Sequence, residues 1–135
     1  MKVFNHPFNK ENCRKRLLEE YYKYGKLIVA FDFDNTIYDY HKNGGDYSEV
    51  IKLLQDCSKL GFELILFTTE EDPIKLLNKA NSVKGLLGTI NFGINKSSIF
   101  YNATKPYYNI LLDDRAGLEE SYEILKYVVD EIKSH

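Results

Sequence analysis

Two pairs of aspartates are the residues of this chain most suited to chemistry, because each pair follows directly on a run of apolar residues. Asp32 and Asp34 end a run that begins at Leu27, and Asp113 and Asp114 end another. Side chains two residues apart on a strand point to the same side, so Asp32 and Asp34 are expected to project together. Two carboxylates this close raise each other's pKa unless a bound cation balances their charge. The two pairs together predict one metal site.

A structural explanation competes with this interpretation. A single Asp-x-Asp at the end of a strand is most often a turn or a helix cap, because aspartate is common in both. Two acidic pairs, each directly after a strand-sized apolar run, are harder to explain in that way. The repetition favours a functional site.

The elements that must position these aspartates alternate between helical and strand periods. Helices are predicted over residues 10–24, from an Asp46–Glu49 capping box to Gly61, from an Asp72 cap with Leu76, Leu77, Ala80 and Val83 inward, and from Leu118 to Ile132. Strands are predicted at Leu27–Phe33, Phe62–Thr68, Thr89–Phe92 and Pro106–Leu112, with a loop over Gly93–Thr104.

This alternation is typical of β-α-β units and therefore predicts an α/β fold. The expected architecture is a three-layer α/β/α sandwich, with a Rossmann-like parallel sheet and helices on both faces. Ligands of such sheets bind at the carboxyl ends of the strands. Both aspartate pairs and Thr68 fall at those ends, on three different strands.

Length and composition indicate one domain over residues 1–135, with residues 1–25 as an N-terminal helical extension. The net charge of −2 gives no electrostatic case for binding nucleic acid or a membrane. Only two cysteines occur, Cys13 and Cys57, which favours a reduced, cytoplasmic setting. The longest apolar run has the length of a strand, so no membrane span is expected. A monomer or a small homo-oligomer is expected.

The motifs and their order resemble the haloacid dehalogenase superfamily of phosphatases, and its small capless members in particular. The resemblance is carried by Asp32-Phe33-Asp34-Asn35-Thr36, by the strand ending in Thr68, by Lys105-Pro106 and by Asp113-Asp114-Arg115-Ala116. It covers residues 26 to about 120. The 33 residues 35–67 and the 36 residues 69–104 leave no room for an inserted cap domain.

The resemblance implies a role for each matching residue. Asp32 is the implied nucleophile and Asp34 the implied general acid and base. Thr68 and Lys105 are implied to bind the phosphoryl oxygens, and Lys96 competes with Lys105 for that role. Mg²⁺ is the implied cofactor, and Asp113 is either a further ligand or a group that orients Lys105. The implied metal ligands are the Asp32 carboxylate, the Asp34 backbone carbonyl, Asp114 and, in the first alternative, Asp113.

Four further residues, in or beside these motifs, bear on the prediction. Thr36 is implied to support the loop after the nucleophile. Asn35 stands where these phosphatases most often have glycine, and asparagine tolerates the left-handed backbone that such a turn needs. Glu70 and Glu71 follow the threonine motif and would oppose an anionic substrate unless they face away.

The expected function is therefore Mg²⁺-dependent hydrolysis of a phosphomonoester through an aspartyl-phosphate. The substrate is left open between a nucleotide, a polynucleotide end and another phosphometabolite. Tyrosines that are candidates for stacking on a base are Tyr38, Tyr40, Tyr101, Tyr107 and Tyr108. The alternative is a catalytically silent module of the same fold that binds a phosphate or nucleotide, and a weaker third is a domain that works only beside a partner chain.

Overall fold

The computed structural model describes residues 9–39, 42, 44–88 and 91–135. In chain order these residues form α1 (Lys10–Tyr24), β1 (Ile28–Asp32), α2 (Ser48–Lys59), β2 (Glu63–Phe67), α3 (Pro73–Leu87), β3 (Gly93–Ile94), β4 (Ile110–Leu112) and α4 (Leu118–Lys133). The strands pair in parallel in the order β3-β2-β1-β4. The predicted α/β class with a Rossmann-like parallel sheet is confirmed.

The main hydrophobic core lies on one face of the sheet. Val29 and Phe31 of β1 are paired in register with Leu64 and Leu66 of β2, so their side chains share that face. Buried side chains from all four described helices join them. Burial of this apolar surface is the main force that holds the sheet against the helices.

The opposite face of the sheet has a smaller core, made by Ile28, Ala30 and Ile65. Side chains that pack against it come from Phe67, Tyr107, Tyr108 and Leu111. The layer on this face is thin, because residues 95–109, which join β3 to β4, contain no helix. Pro106, within this segment, is a residue that interrupts helices.

The helix boundaries follow the expected capping residues at most ends. The Asp72 carboxylate accepts a hydrogen bond from the Ile74 N–H at 2.9 Å, with Pro73 as the first helical residue. Gly25 ends α1 in the left-handed conformation, with φ of 81°. The predicted capping box of α2 is wrong, because its N-cap is Tyr47, and the Asp46 carboxylate, one residue before the N-cap, accepts from the N–H of Ser48, the first helical residue.

The inward stripe predicted for α3 needs a correction. Ala80 and Val83 are buried as predicted, whereas Leu77 is 60% exposed. Lys79 belongs to the inward stripe, three residues after Leu76 and four before Val83, and its side chain is only 18% exposed. A charged residue on the buried side of a helix needs partners, and the Lys79 Nζ donates to the Thr68 hydroxyl at 3.3 Å.

The two outer strands also differ from the prediction. The third strand was predicted at Thr89–Phe92 but lies at Gly93–Ile94, in the predicted loop; Thr89 and Ile90 themselves lie outside the described residues. A Cβ atom at Gly93 would lie 2.7 Å from the Lys96 carbonyl oxygen, so glycine permits a tight turn there that strand propensity does not reveal.

The last strand begins at Ile110 rather than at Pro106. Asn109, the residue before it, receives the Ile28 N–H on its side-chain oxygen at 2.6 Å and donates its own N–H to the Ile28 carbonyl at 2.8 Å. The preceding residues Tyr107 and Tyr108 turn to the smaller core, which shortens the ladder.

The N-terminal helix packs on α4 and places Leu17 in the main core. It also reaches the edge strand, because Arg16 donates to the Asn109 carbonyl and the Asn109 amide donates to Glu20. These contacts agree with the helix covering one edge of the sheet. Among the described helices, none combines the length and the apolar character needed to cross a membrane.

Candidate active site

An acidic cluster forms where β1 and β4 end side by side. Phe31 pairs with Leu112, so the next residues of the two strands, Asp32 and Asp113, are adjacent. Carboxylate oxygens of Asp32, Asp113 and Asp114 all lie within 4.8 Å of one another. Three oxygen donors at this spacing can hold a metal ion, and oxygen is the donor that hard divalent cations prefer.

The protonation equilibrium of Asp32 reflects this environment. Partial burial, and next the negative charge of Asp113, raise the pKa of Asp32 to about 6. A hydrogen bond with the Phe33 backbone acts in the opposite direction and is outweighed. In the absence of a cation, the cluster therefore carries uncompensated negative charge, which fits a site built to hold a metal ion.

We expect the metal-free protein to lose stability as the pH rises from about 4 to about 6, because Asp32 binds its proton more tightly in the folded state than at its unfolded pKa of about 3.9. After a discount for solvent screening, the Asp32 contribution to this loss is about 1–2 kcal/mol. Asp32→Asn should therefore be more stable than wild type in EDTA at pH 8, and equally stable at pH 4. Urea unfolding at the two pH values measures this difference.

A matched variant at the surface, Asp46→Asn, should change the stability at pH 8 in the opposite direction. Hydrogen bonds with Ser48 lower the pKa of Asp46, so this carboxylate stabilises the fold above its unfolded pKa and loses that contribution as the pH falls. Asp46→Asn should therefore be less stable than wild type at pH 8. Equal stability of Asp32→Asn and wild type at pH 8 would contradict the repulsion inferred for the acidic cluster.

Asp34 lies in the turn after β1, with its carboxylate outside the acidic cluster. Its side chain is 39% exposed, and its Oδ2 lies 4.0 Å from the Lys79 Nζ. Asn35 has a left-handed φ of 59° and donates its N–H to the Tyr38 carbonyl at 2.7 Å, so the asparagine accommodates the turn as expected. The turn places Asp34 beside Asp32 on the same cleft.

Thr36 joins the two loops that carry the aspartates. Its side chain is fully buried, and its hydroxyl oxygen accepts the Asp114 N–H at 3.2 Å. This bond connects the turn after β1 to the end of β4, so a change at Thr36 would move Asp114 relative to Asp32. The supporting role that the resemblance implied for Thr36 stays a prediction.

Thr68 lies across the cleft, directly after β2. Its hydroxyl oxygen accepts the Glu70 N–H at 3.1 Å and a Lys79 N–H at 3.3 Å, which leaves its own hydrogen to donate. The carboxylate of Glu70 accepts the Asp72 N–H at 3.3 Å, near the start of α3. The described residues that line the cleft include neither Glu70 nor Glu71, so neither carboxylate forms part of the described cleft wall.

The cleft has a volume of about 700 Å³ and gathers most of the predicted site residues. Those that line it are Asp32, Asp34, Asn35, Thr68, Asp113 and Asp114. The two lysines considered for phosphate binding, Lys96 and Lys105, are both exposed and are not among the described lining residues, although Thr104 and Pro106 are. Of the tyrosines considered for stacking on a base, Tyr40 lies outside the described residues, and the other four are not among the described lining residues.

Lys79 and Asn95 are among the cleft residues that were not predicted from the sequence. Lys79 had a usable signal, because a lysine on the inward stripe of a helix that follows the Thr68 strand must face the strand ends or the core. The sequence signal for Asn95 was weaker, because it was only that asparagine is enriched in left-handed turns. The structure gives Asn95 a φ of 57°.

Comparison of the chain with protein-family models, with curated proteins and with solved structures gives no match. The class of this protein therefore follows from its own sequence and structure. It is an α/β protein with a parallel sheet of the order β3-β2-β1-β4, and an acidic cluster able to hold a metal ion lies at the carboxyl edge of that sheet.

Proposed function

We propose that this protein is a Mg²⁺-dependent phosphomonoester hydrolase of the haloacid dehalogenase type, acting through an aspartyl-phosphate. The observation that carries the proposal is the cluster of Asp32, Asp113 and Asp114 at two adjacent strand ends. The second acidic residue of the turn, Asp34, and the Thr68 hydroxyl line the same cleft. A single cleft thus contains a nucleophile candidate, an acid and a hydrogen-bond donor for phosphoryl oxygens.

Mg²⁺ fits the donor set, because all three groups are carboxylates and the raised pKa of Asp32 reports unbalanced negative charge. Asp32, Asp113 and Asp114 would hold the ion, which favours the alternative in which Asp113 is a ligand. The Asp34 backbone carbonyl, which the resemblance also implied as a ligand, stays a prediction. The ion would neutralise the acidic cluster and the charge that develops on the phosphoryl oxygens.

In the first step, a carboxylate oxygen of Asp32 attacks phosphorus. The new Oδ–P bond forms as the ester P–O bond breaks, and Asp34 gives its proton to the leaving oxygen. In the second step, Asp34 takes a proton from water, and the resulting hydroxide attacks phosphorus. The Oδ–P bond breaks, inorganic phosphate leaves, and the Asp32 carboxylate is restored.

An accessible cleft bears on the choice of substrate. The described residues between Asp34 and Thr68 form α2 and β2, and no further domain is inserted among them. An uncovered site accepts a phosphate on a large molecule as readily as one on a small molecule. This supports keeping polynucleotide ends, nucleotides and other phosphometabolites in the substrate screen.

The test is hydrolysis of an aryl phosphate by the wild-type protein with Mg²⁺ and with EDTA. Turnover that requires Mg²⁺ supports the proposal. If aryl phosphate, nucleotides and phosphorylated oligonucleotide ends are all left intact with Mg²⁺ bound, the enzyme proposal fails and a phosphate-binding module is the better description.

A further inference from the structure

The cleft presents an electrostatic problem for an anionic substrate. Four carboxylates line it, from Asp32, Asp34, Asp113 and Asp114, and a phosphomonoester is itself negatively charged. A metal ion held by three of them balances only part of this charge. A positively charged side chain inside the cleft is therefore needed, and the two among the described lining residues are Lys79 and Arg115.

Lys79 is the more constrained of these two cations. Its side chain is 18% exposed, whereas Arg115 is classed as exposed. The Lys79 Nζ donates to the Thr68 hydroxyl at 3.3 Å and lies 5.5 Å from the centre of the Phe33 ring. An ammonium group has three N–H donors, so donors remain for an anion that enters the cleft. Asp34, at 4.0 Å, is within ion-pair range but too far for a hydrogen bond.

Asn95 fixes the position of Thr68, the hydrogen-bond partner of Lys79. Its amide nitrogen donates to the Thr68 carbonyl at 2.9 Å, and its amide oxygen accepts the Thr68 N–H at 2.9 Å. Its own N–H donates to the Leu66 carbonyl at 2.9 Å. Only a side chain with one donor and one acceptor at this length can satisfy both backbone groups of Thr68.

We propose that Lys79, carried by α3, is the cation that binds the transferred phosphoryl group together with the Thr68 hydroxyl. Asn95 is then a positioning residue, acting through Thr68. The assignment rests on the proposed function, and it replaces Lys105 and Lys96, which are exposed outside the cleft lining. The Lys79 ammonium and the Thr68 hydroxyl lie across the cleft from the acidic cluster. A phosphoryl group between them would have the Lys79 charge on one side and, if the cluster holds a metal ion, a second positive charge on the other.

The experiment measures binding of inorganic phosphate by calorimetry in saturating Mg²⁺, together with aryl phosphate kinetics. Lys79→Met keeps a long, unbranched side chain and removes the charge. We expect it to weaken phosphate binding and to lower kcat/KM by about 10²-fold or more, at unchanged Mg²⁺ affinity. Lys79→Arg should recover part of the loss. The matched control Lys105→Met should stay within about twofold of wild type.

Asn95→Gly tests the positioning role, since glycine accepts the left-handed φ of 57° and the variant removes both side-chain bonds to the Thr68 backbone without adding charge to the cleft. We expect about a tenfold rise in KM, which corresponds to about 1.4 kcal/mol, at an unchanged Mg²⁺ affinity. Unchanged KM in this variant would leave Asn95 a purely structural residue and overturn its positioning role.

Phosphate binding separates this inference from the proposed function. If wild type binds phosphate but hydrolyses nothing, the hydrolase proposal fails while the Lys79 variants still decide the binding role. Equal phosphate affinity in Lys79→Met and wild type would overturn the assignment, and so would an equal loss in Lys105→Met. If wild type with Mg²⁺ binds no phosphate at all, the Lys79 assignment falls, while turnover of the aryl phosphate still decides the hydrolase proposal.

Discussion

Asp32→Asn should reduce Mg²⁺-dependent hydrolysis of an aryl phosphate by about 10⁴-fold or more, because an amide cannot attack phosphorus and form the covalent intermediate. The substitution preserves the shape of the side chain and removes a negative charge that the neighbouring carboxylates repel. Since burial and Asp113 raise the pKa of Asp32 to about 6, the variant should be folded and, in EDTA at pH 8, more stable than wild type. Steady-state rates and urea unfolding of the same preparation measure both effects.

This pairing of lost activity with gained stability distinguishes a functional aspartate from a structural one. Asp46→Asn is the control, because Asp46 lies on the surface before α2 and outside the cleft lining. It should keep full turnover while losing stability. Turnover of Asp32→Asn within tenfold of wild type would contradict the aspartyl-phosphate mechanism and leave the cluster only as a metal site.

The convergence of the acidic residues could be predicted from the sequence because it depends on strong local signals. Asp32 and Asp113 each follow a buried apolar run, and parallel strands bring their carboxyl ends to one edge of a sheet. The continuous apolar runs of β1 and β2 and the apolar stripe of α4 are clear local signals, so these three elements were predicted correctly. Their observed ends differ from the predicted ends by about a residue.

The short strands β3 and β4 depend on contacts that a local pattern does not contain. β3 has two residues, and its position depends on the turn from Gly93 and on the Asn95 N–H bond to Leu66. β4 starts late because Tyr107 and Tyr108 pack on the smaller core. In both regions tertiary contacts override the local preference for a strand.

Lys79, one of the two cationic residues among the described lining residues of the cleft, was missed for a related reason. Lys105 was favoured because of its place in a motif, and the position of a residue before Pro106 in an irregular segment is set by tertiary contacts. Lys79 lies 11 residues after Thr68 in sequence, yet the course of α3 returns its Nζ to within 3.3 Å of the Thr68 hydroxyl. A helical projection of α3 that included charged residues would have marked it.

The second large effect concerns the metal ion itself. Asp113→Asn removes one of three carboxylates from the cluster, so we expect Mg²⁺ affinity to fall by about 10²-fold. At a Mg²⁺ concentration 100 times the wild-type Kd, binding should stabilise wild type by about 2.7 kcal/mol and the variant by only about 0.4 kcal/mol. Denaturant unfolding with Mg²⁺ and with EDTA measures the two increments.

The same substitution should have the opposite effect without metal, because the charge of Asp113 helps to raise the pKa of Asp32. In EDTA at pH 8, Asp113→Asn should be more stable than wild type, and addition of Mg²⁺ should reverse the order of the two proteins. Asp46→Asn, outside the cluster, should gain as much from Mg²⁺ as wild type does. An equal gain from Mg²⁺ in Asp113→Asn and wild type would show that the ion binds elsewhere, and the hydrolase proposal would then lose the cluster that carries it.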